Sequence, residues 1–278
     1  MLLKQWKSLE INHKSPNEIR NVKKINFENF LNKINSKKES IKIINNLYQG
    51  DVYLIRNTIS KKFILDLKKY LIDKAKIDPS SFYKIKEGCP NFNRIIKKKH
   101  KKYSVSSFRH AFYFFRWNKE KIKIFKNFDK IWDKIKYLNG YKFNSFKKNT
   151  PRDGLIDRIQ VHRYPNNSGE IEPHQHNPKN IRVILNVYLS KKGKDFNQGG
   201  IFFKKKNKKF EIEKNFNVNI GDSLIFYSTL IHSVEKVKID RKLLKNTNEN
   251  YSGRWWAGLY TPESDHIKNR VTSNRVNF

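Results

Sequence analysis

The spacing of hydrophobic positions changes at about residue 150, from three- and four-residue intervals upstream to two-residue alternation downstream. Residues 1–45 are polar, with short helical patches at 27–34 and 37–47. Residues 51–55 read as a strand. An amphipathic helix follows over about 59–74, with Phe63, Leu65, Leu67, Tyr70 and Leu71 at three- and four-residue spacing, Ser60 as its N-cap and the Asp-Pro-Ser-Ser turn at 78–81 as its stop. Residues 112–117 form a dense aromatic strand, most simply core. Between 119 and 138, Ile122, Phe125, Phe128, Ile131, Trp132 and Ile135 repeat at helical spacing and predict a helix packed on an apolar surface. Beyond a turn cluster at 149–154, candidate strands lie at 156–164, 170–176, 181–189, 200–205, 210–213, 223–227, 231–238 and 255–261. Short strands parted by Gly, Asn and Pro turns predict a sandwich or jelly roll. The expected class is α+β with a mainly β core. A helical and mixed support region covers 1–150, the β core 151–262 and a polar C-terminal tail 263–278. No repeat of solenoid period is present.

Charge adds a question to this picture. The 60 Lys plus Arg against 25 Asp plus Glu leave a formal net charge of +35. Aromatics make up 14% of the chain, enough for a packed core, so it does not read as a disordered polyelectrolyte. Such charge can serve an anionic partner. It can also follow from an AT-rich coding sequence, whose codons favour Lys, Asn, Ile and Phe. The spread of lysines along the whole length agrees better with the second, because a binding footprint clusters. The basic run at 97–102 lacks interleaved aromatics of the kind that stack on bases and reads as a solvated loop. Nucleic acid thus stays open as a partner with no motif behind it. Cys89 is the single cysteine, which rules out an intramolecular disulfide and fits a reducing compartment. Its Gly-Cys-Pro setting reads as structural. No run approaches the roughly 20 apolar residues of a membrane span, and the N-terminal apolar run is too short for a signal peptide. The expectation is a soluble, cytoplasmic protein without a membrane partner.

Candidate chemistry lies in the β region. His174 and His176 stand in Glu-Pro-His-Gln-His, and their spacing puts both rings on one face of a strand. His232, in Ile-His-Ser-Val, follows a Gly-Asp turn and an apolar strand. It is distant in sequence, but early and late strands of a jelly roll become neighbours. Three imidazoles would cap one face of a metal polyhedron and leave the remaining positions for substrate, co-substrate or oxygen. Imidazole suits iron, zinc, copper and nickel. A lone histidine would read as a surface or core residue; the three together read as a metal site. His100 and His110 have no partner at such spacing.

The order of the surrounding motifs carries more. Arg163-Tyr164-Pro165, Gly169, His174-Gln175-His176, Leu185-Asn186-Val187-Tyr188, Gly199-Gly200-Ile201, Gly221-Asp222-Ser223, His232-Ser233-Val234 and Gly253-Arg254-Trp255 succeed one another within 156–262. This succession resembles the non-haem iron, 2-oxoglutarate-dependent oxygenases, in particular the branch that includes the prolyl hydroxylases. The resemblance implies a double-stranded β-helix (jelly roll) with supporting N-terminal helices. It implies Fe(II) and 2-oxoglutarate as cofactors, O2 as co-substrate, and hydroxylation of a small-molecule or polymer substrate, anionic if the charge is functional. By the same resemblance His174 and His232 are iron ligands, Arg254 pairs with the far carboxylate of 2-oxoglutarate, and Tyr164 donates a hydrogen bond to that co-substrate. A guanidinium fork matches a carboxylate bidentately, which is the physical reason for an arginine there. Arg241 and Arg182 are rivals. Arg254 is preferred because it opens a strand-like Gly-Arg-aromatic run, whereas Arg241 sits among charged loop residues. Trp255 and Trp256 face opposite sides of that strand, so one is expected to line the barrel.

One position departs from the resembled family. Where the family carries Asp or Glu two residues after the first histidine, this chain has His176. As a third ligand, His176 would leave the ion its full positive charge, favouring anionic co-substrates and raising the reduction potential. Glu170 and Glu172, on the same strand face by period two, are the nearby carboxylates. The three histidines also resemble the cupins, with Gly169 ahead of the pair and Gly221 ahead of His232, although Lys179, Asn180 and Ile181 stand where the cupin glutamate would be. A cupin-like three-histidine metalloenzyme without 2-oxoglutarate is the second reading. The third is a non-catalytic jelly-roll module for an anionic partner.

Overall fold

The computed structural model describes residues 2–97, 105–244, 252–271 and 273–278; His100 and all of the basic run except Lys97 lie outside the described residues. In chain order the strands are β1 (Val22–Asn26), β2 (Val52–Arg56), β3 (Phe92–Ile96), β4 (Ser107–Phe115), β5 (Arg158–Tyr164), β6 (Glu170–Gln175) and β7 (Val183–Tyr188), then β8 (Ile201–Lys205), β9 (Lys208–Glu211), β10 (Ser223–Tyr227), β11 (His232–Val234), β12 (Arg254–Tyr260) and β13 (Asn274–Arg275). The helices are α1 (Leu2–Asn12), α2 (Phe27–Asn35), α3 (Lys37–Tyr48), α4 (Lys61–Ile77) and α5 (Ile124–Leu138), with two short turns, α6 (Ile212–Asn215) and α7 (Arg241–Leu244). All strands join one sheet in the order β1-β2-β10-β7-β12-β5-β4-β6-β11-β8-β9, with β3 added to β4 and β13 to β6.

β4 is the fold line of that sheet. His110–Phe115 pair with β5, whereas Ser107 and Phe108 pair with Ile171 and Glu170 of β6. A large layer (β1, β2, β10, β7, β12, β5) and a small one (β6, β11, β8, β9) therefore face each other across the bend. This is the jelly roll with N-terminal helices that the sequence predicts. Strands β1, β2 and β4 come from the support region yet lie in the same sheet as the later strands.

The helices cover the outer face of the large layer. Their starts follow capping rules: the side chains of Asn26, Ser36 and Ser60 accept the backbone N–H groups of Asn29, Glu39 and Phe63. The stripe on α5 buries Ile124, Phe128, Ile131, Trp132, Ile135 and Leu138. One continuous core joins these helices to Leu185, Val187, Leu224 and Trp255. Helix α1 has no counterpart in the periodicity, because only Leu2 and Trp6 are buried on it. Tertiary contacts hold it: the Trp6 indole N–H donates to the Leu138 carbonyl at 2.6 Å, and its ring stacks on Tyr227 at 5.3 Å. Strands β1 and β3 likewise have no counterpart in the sequence pattern. The strand expected at 210–213 ends at Glu211, after which the chain turns into α6 and carries Glu213 off the strand.

Candidate metal centre and its cavity

Between the two layers lies a cavity of about 520 Å3, within the roughly 300–1,000 Å3 typical of small-molecule sites. Its walls follow from strand alternation. On β5, Ile159 and Val161 enter the helix-covered core, while Arg158, Gln160, His162 and Tyr164 face the cavity. On β12, Trp255, Ala257 and Leu259 face the core, and Arg254, Trp256 and Tyr260 face the cavity. Trp256 is therefore the tryptophan that lines the barrel. Gly258 sits between Trp256 and Tyr260, and a Cβ there would collide with both rings. Gly253, at φ +132°, lets β12 start against the Tyr164 carbonyl, which sets Arg254 directly opposite Tyr164.

The three histidines meet at one wall. His174 of β6 and His232 of β11 are cross-strand partners. His176 follows, its backbone N–H donating to the Ser228 carbonyl at 2.8 Å. The potential ligand atoms of the three all lie within 4.8 Å of one another. Each Nδ1 is already engaged: His174 with the Glu172 carbonyl at 2.9 Å, His232 with the Leu230 carbonyl at 2.9 Å, His176 with the Ser273 hydroxyl at 2.8 Å. An Nδ1–H donated to a carbonyl fixes the tautomer that leaves Nε2 as a bare lone pair. Burial holds all three imidazoles below their ordinary range, His232 down to about 4; at His174 the neighbouring rings add to this, and at His176 His232 and Arg109 do. Three neutral, oriented nitrogens fit a borderline divalent ion such as iron(II) or zinc.

Among the described residues no carboxylate joins this cluster. The reason is a bulge. His232 pairs with His174 but Val234 pairs with Ile171, so β6 spends three residues where β11 spends two. The bulge puts Ile171 and His174 together on the cavity side and breaks the period-two argument that placed Glu170 and Glu172 with the histidines. Glu172 instead accepts the Ser106 N–H at 2.5 Å and pairs with Arg275 at 3.3 Å.

Arg254 lines the cavity and is 3% exposed. Its Nε and Nη2 both donate to one carboxylate oxygen of Glu213, at 3.0 and 2.7 Å, while its Nη1 has no acceptor. The other Glu213 oxygen accepts the Ile201 N–H at 2.8 Å. Opposite, the Tyr164 hydroxyl is buried without a hydrogen bond, and so is the Trp256 indole N–H. These are donors lacking an acceptor, which is the deficit a carboxylate would fill. A dicarboxylate reaching from the histidines to Arg254 fits this donor set. The rival arginines are elsewhere: Arg182 is bound bidentately by Glu10 of α1 at 2.7 and 3.0 Å, and Arg241 is exposed on α7.

Sequence reasoning overlooked three cavity residues. Arg109 stands beside the Tyr164 hydroxyl, without the geometry of a hydrogen bond. Arg158 lies under the rings of Tyr113 and Tyr260, at 5.6 and 5.8 Å. Its pKa is lowered by burial. His162 stacks on Trp256 at 4.5 Å with Nδ1 unpaired, and burial together with Arg109, Arg158 and Arg254 keeps it well below the usual imidazole range. A signal was present: Arg158, Gln160, His162 and Tyr164 are four polar-capable residues at every second position of a strand whose other face carries Ile159, Val161 and Arg163. From the C-terminal region Glu263, Asp265, Arg270, Val271 and Ser273 also line the cavity.

No known family profile matches this sequence, and no curated protein does. Solved structures do match in shape. A full-length Neurospora crassa protein in complex with alpha-KG superposes with a TM-score of 0.51 at 9% identity, over 86% of this chain and 84% of that one. A Pseudomonas putida prolyl-4-hydroxylase gives 0.48 at 10% identity, over 79% of this chain and 96% of that one. A putative 2OG-Fe(II) oxygenase family protein from Caulobacter crescentus gives 0.46 at 10% identity, over 87% of each. The likeness to the Neurospora protein shows that this chain shares its fold. No described helix is long and apolar enough to cross a membrane.

Proposed function

We propose that this chain is an Fe(II)- and 2-oxoglutarate-dependent oxygenase that hydroxylates its substrate. One observation carries the reading: three neutral imidazoles, two of them in the tautomer that leaves Nε2 bare, share a cavity with a buried arginine and a tyrosine that have donors to spare. His174, His176 and His232 would hold the iron, and Arg254 Nη1 and the Tyr164 hydroxyl the far carboxylate of 2-oxoglutarate. When bound, the metal and co-substrate supply O2-driven oxidation of a C–H bond, with release of CO2 from the co-substrate.

The protein's own contribution is orientation and charge. Backbone carbonyls and Ser273 hold the imidazole rings, so each nitrogen is presented without rotation. Glu213 holds the Arg254 plane and directs its remaining N–H into the cavity. Neutral ligands leave the ion's charge undiminished, which strengthens binding of an anionic co-substrate in a low-dielectric site. Phe203 and Phe226 pack on the His232 ring, at 5.8 and 4.9 Å, and Ile171 adds an apolar side chain to the cavity wall.

The test is anaerobic titration of metal-free protein with iron(II) and then 2-oxoglutarate, following the weak visible charge-transfer band of the chelate. The band should vanish in His174→Ala and shrink in Arg254→Gln. Tight metal binding without the band favours the second reading, a three-histidine metalloenzyme that does not use 2-oxoglutarate. One observation speaks for that reading: Arg254 already spends two donors on Glu213.

A further inference from the structure

We propose that Arg109 and Arg158 form a substrate oxyanion site distinct from Arg254, and that the substrate is a small organic acid with an apolar or aromatic body. The inference rests on the oxygenase reading only for calling this anion the substrate.

The placement comes from the bend in β4. Arg109 is the residue between those paired with β6 and those paired with β5, so it stands at the corner between the layers. From there it reaches Tyr164 on one side and lies within electrostatic range of His174 and His176 on the other. Arg158 approaches the same space from the far end of β5, where Tyr260 is its neighbour in register. Between them they flank the central volume of the cavity, with the histidines at one side.

What sets these two arginines apart is the absence of a counter-charge. Arg116 holds Asp157 and Asp129, Arg182 holds Glu10, and Arg254 holds Glu213. Among the described residues neither Arg109 nor Arg158 has a carboxylate partner, and the Nε of each is buried without an acceptor. The nearest acids at the mouth are already spent. Glu263 serves Lys179, Asn180 and the Val271 N–H, and Asp265 serves Arg270 and the Ile85 N–H. Both side chains are partly buried, and Arg158 spends only Nη2, on the Gln160 side-chain oxygen at 3.2 Å; the buried Nε groups left without acceptors are costly unless a ligand supplies them. A carboxylate and a phosphate both offer the paired oxygens that a guanidinium fork accepts. The body attached to that group would lie along Phe82, Tyr83, Ile85 and Phe92, which form the apolar wall near Arg158.

The experiment is calorimetric titration of the full-length, metal-free chain with three probes of one shape: phenylacetate, phenyl phosphate and the neutral phenylacetamide. At least one acid should bind, with the amide about tenfold or more weaker. Arg109→Gln and Arg158→Gln should each weaken the acid about tenfold or more, and Arg158→Lys should recover part of the loss. Arg254→Gln and His174→Ala should leave it unchanged. The tighter acid identifies the oxyanion. The thermal midpoint of the Arg109 variant should hold or rise, because a partly buried cation with an unpaired Nε has been removed; a purely structural role would lower it. Equal binding of the amide, no binding of either acid, or dependence on Arg254 in place of Arg109 and Arg158 would each overturn the proposal. The iron and 2-oxoglutarate titration reads independently. A chelate band without acid binding sinks only this inference, and acid binding with the expected variants but no band sinks only the oxygenase reading.

Discussion

Trp255 and Trp256 are neighbours in sequence and belong to different worlds. Trp255 points to the helix-covered core, 1% exposed and stacked near Phe112 at 6.0 Å. Trp256 points into the cavity, with its indole N–H unpaired and its ring laid on a neutral histidine. The same contrast runs along β5, where Ile159 and Val161 complete a closed apolar core while Arg158, His162 and Tyr164 end in unsatisfied polar atoms. One face of the large layer is built for stability. The other leaves several buried polar atoms without partners among the described residues, and in the proposed function a ligand would supply them.

That contrast can be broken most forcefully at Trp255. Trp255→Ala should cost about 3–5 kcal/mol of unfolding free energy, the usual range for removing a buried aromatic. Denaturant titration checks this, and metal affinity of the folded fraction should stay unchanged. Next in size is the Arg254–Glu213 pair on the other face. Arg254→Met leaves Glu213 buried without its partner and should cost about 3–5 kcal/mol, whereas Arg254→Met with Glu213→Leu should recover most of that loss. A double-mutant cycle on chemical denaturation separates the two. If the single and double variants are equally unstable, Arg254 is packed for its own sake and the functional assignment loses its support.

Smaller effects sharpen the picture. Ser273→Ala removes the partner of His176 Nδ1 and should weaken metal binding about tenfold or more, read by competition with a coloured chelator. Stability should also fall in mild acid. Burial lowers the pKa of His110 in the folded chain to about 4, against about 6.5 when unfolded. Below about 6.5 the unfolded chain therefore takes up a proton that the folded chain refuses, so this stabilisation is full at neutral pH and is lost as pH falls toward 4. Between pH 7 and 5.5 the loss is about 1 kcal/mol for this one histidine, and His110→Gln should flatten the midpoint-against-pH curve of the metal-free protein by that share. Least of all, Trp256→Phe should change stability by less than about 1 kcal/mol, in contrast to its neighbour.

Much of the scaffold was legible in the chain. Helices α2 to α5 announced themselves through helical spacing of apolar residues, α4 also through its cap Ser60, and the strands from β5 to β12 through alternation between turn residues, because these signals are local. What escaped was held from a distance. Helix α1 depends on Trp6 meeting Leu138 and Tyr227. Glu213 was expected on a strand, and only the turn into α6 aims it at Arg254.

The site divides the same way. The spacing of His174 and His176 dictates that their rings lie on one side, for which the backbone period is enough; His232 was named as their partner from the jelly-roll expectation, and the pairing of β11 with β6 brings it there. Tertiary structure alone decided that Glu170 and Glu172 turn away, since a bulge is an extra residue relative to a partner strand and has no meaning within one strand. It also decided that Arg109 occupies the corner of β4, that Arg109 and Arg158 flank one cavity without a carboxylate, and that Ser273 reaches His176 from the C-terminal segment. Which face a residue shares is a matter of local geometry. Which charge it meets depends on how the sheet closes on itself, and no spacing along the chain records that.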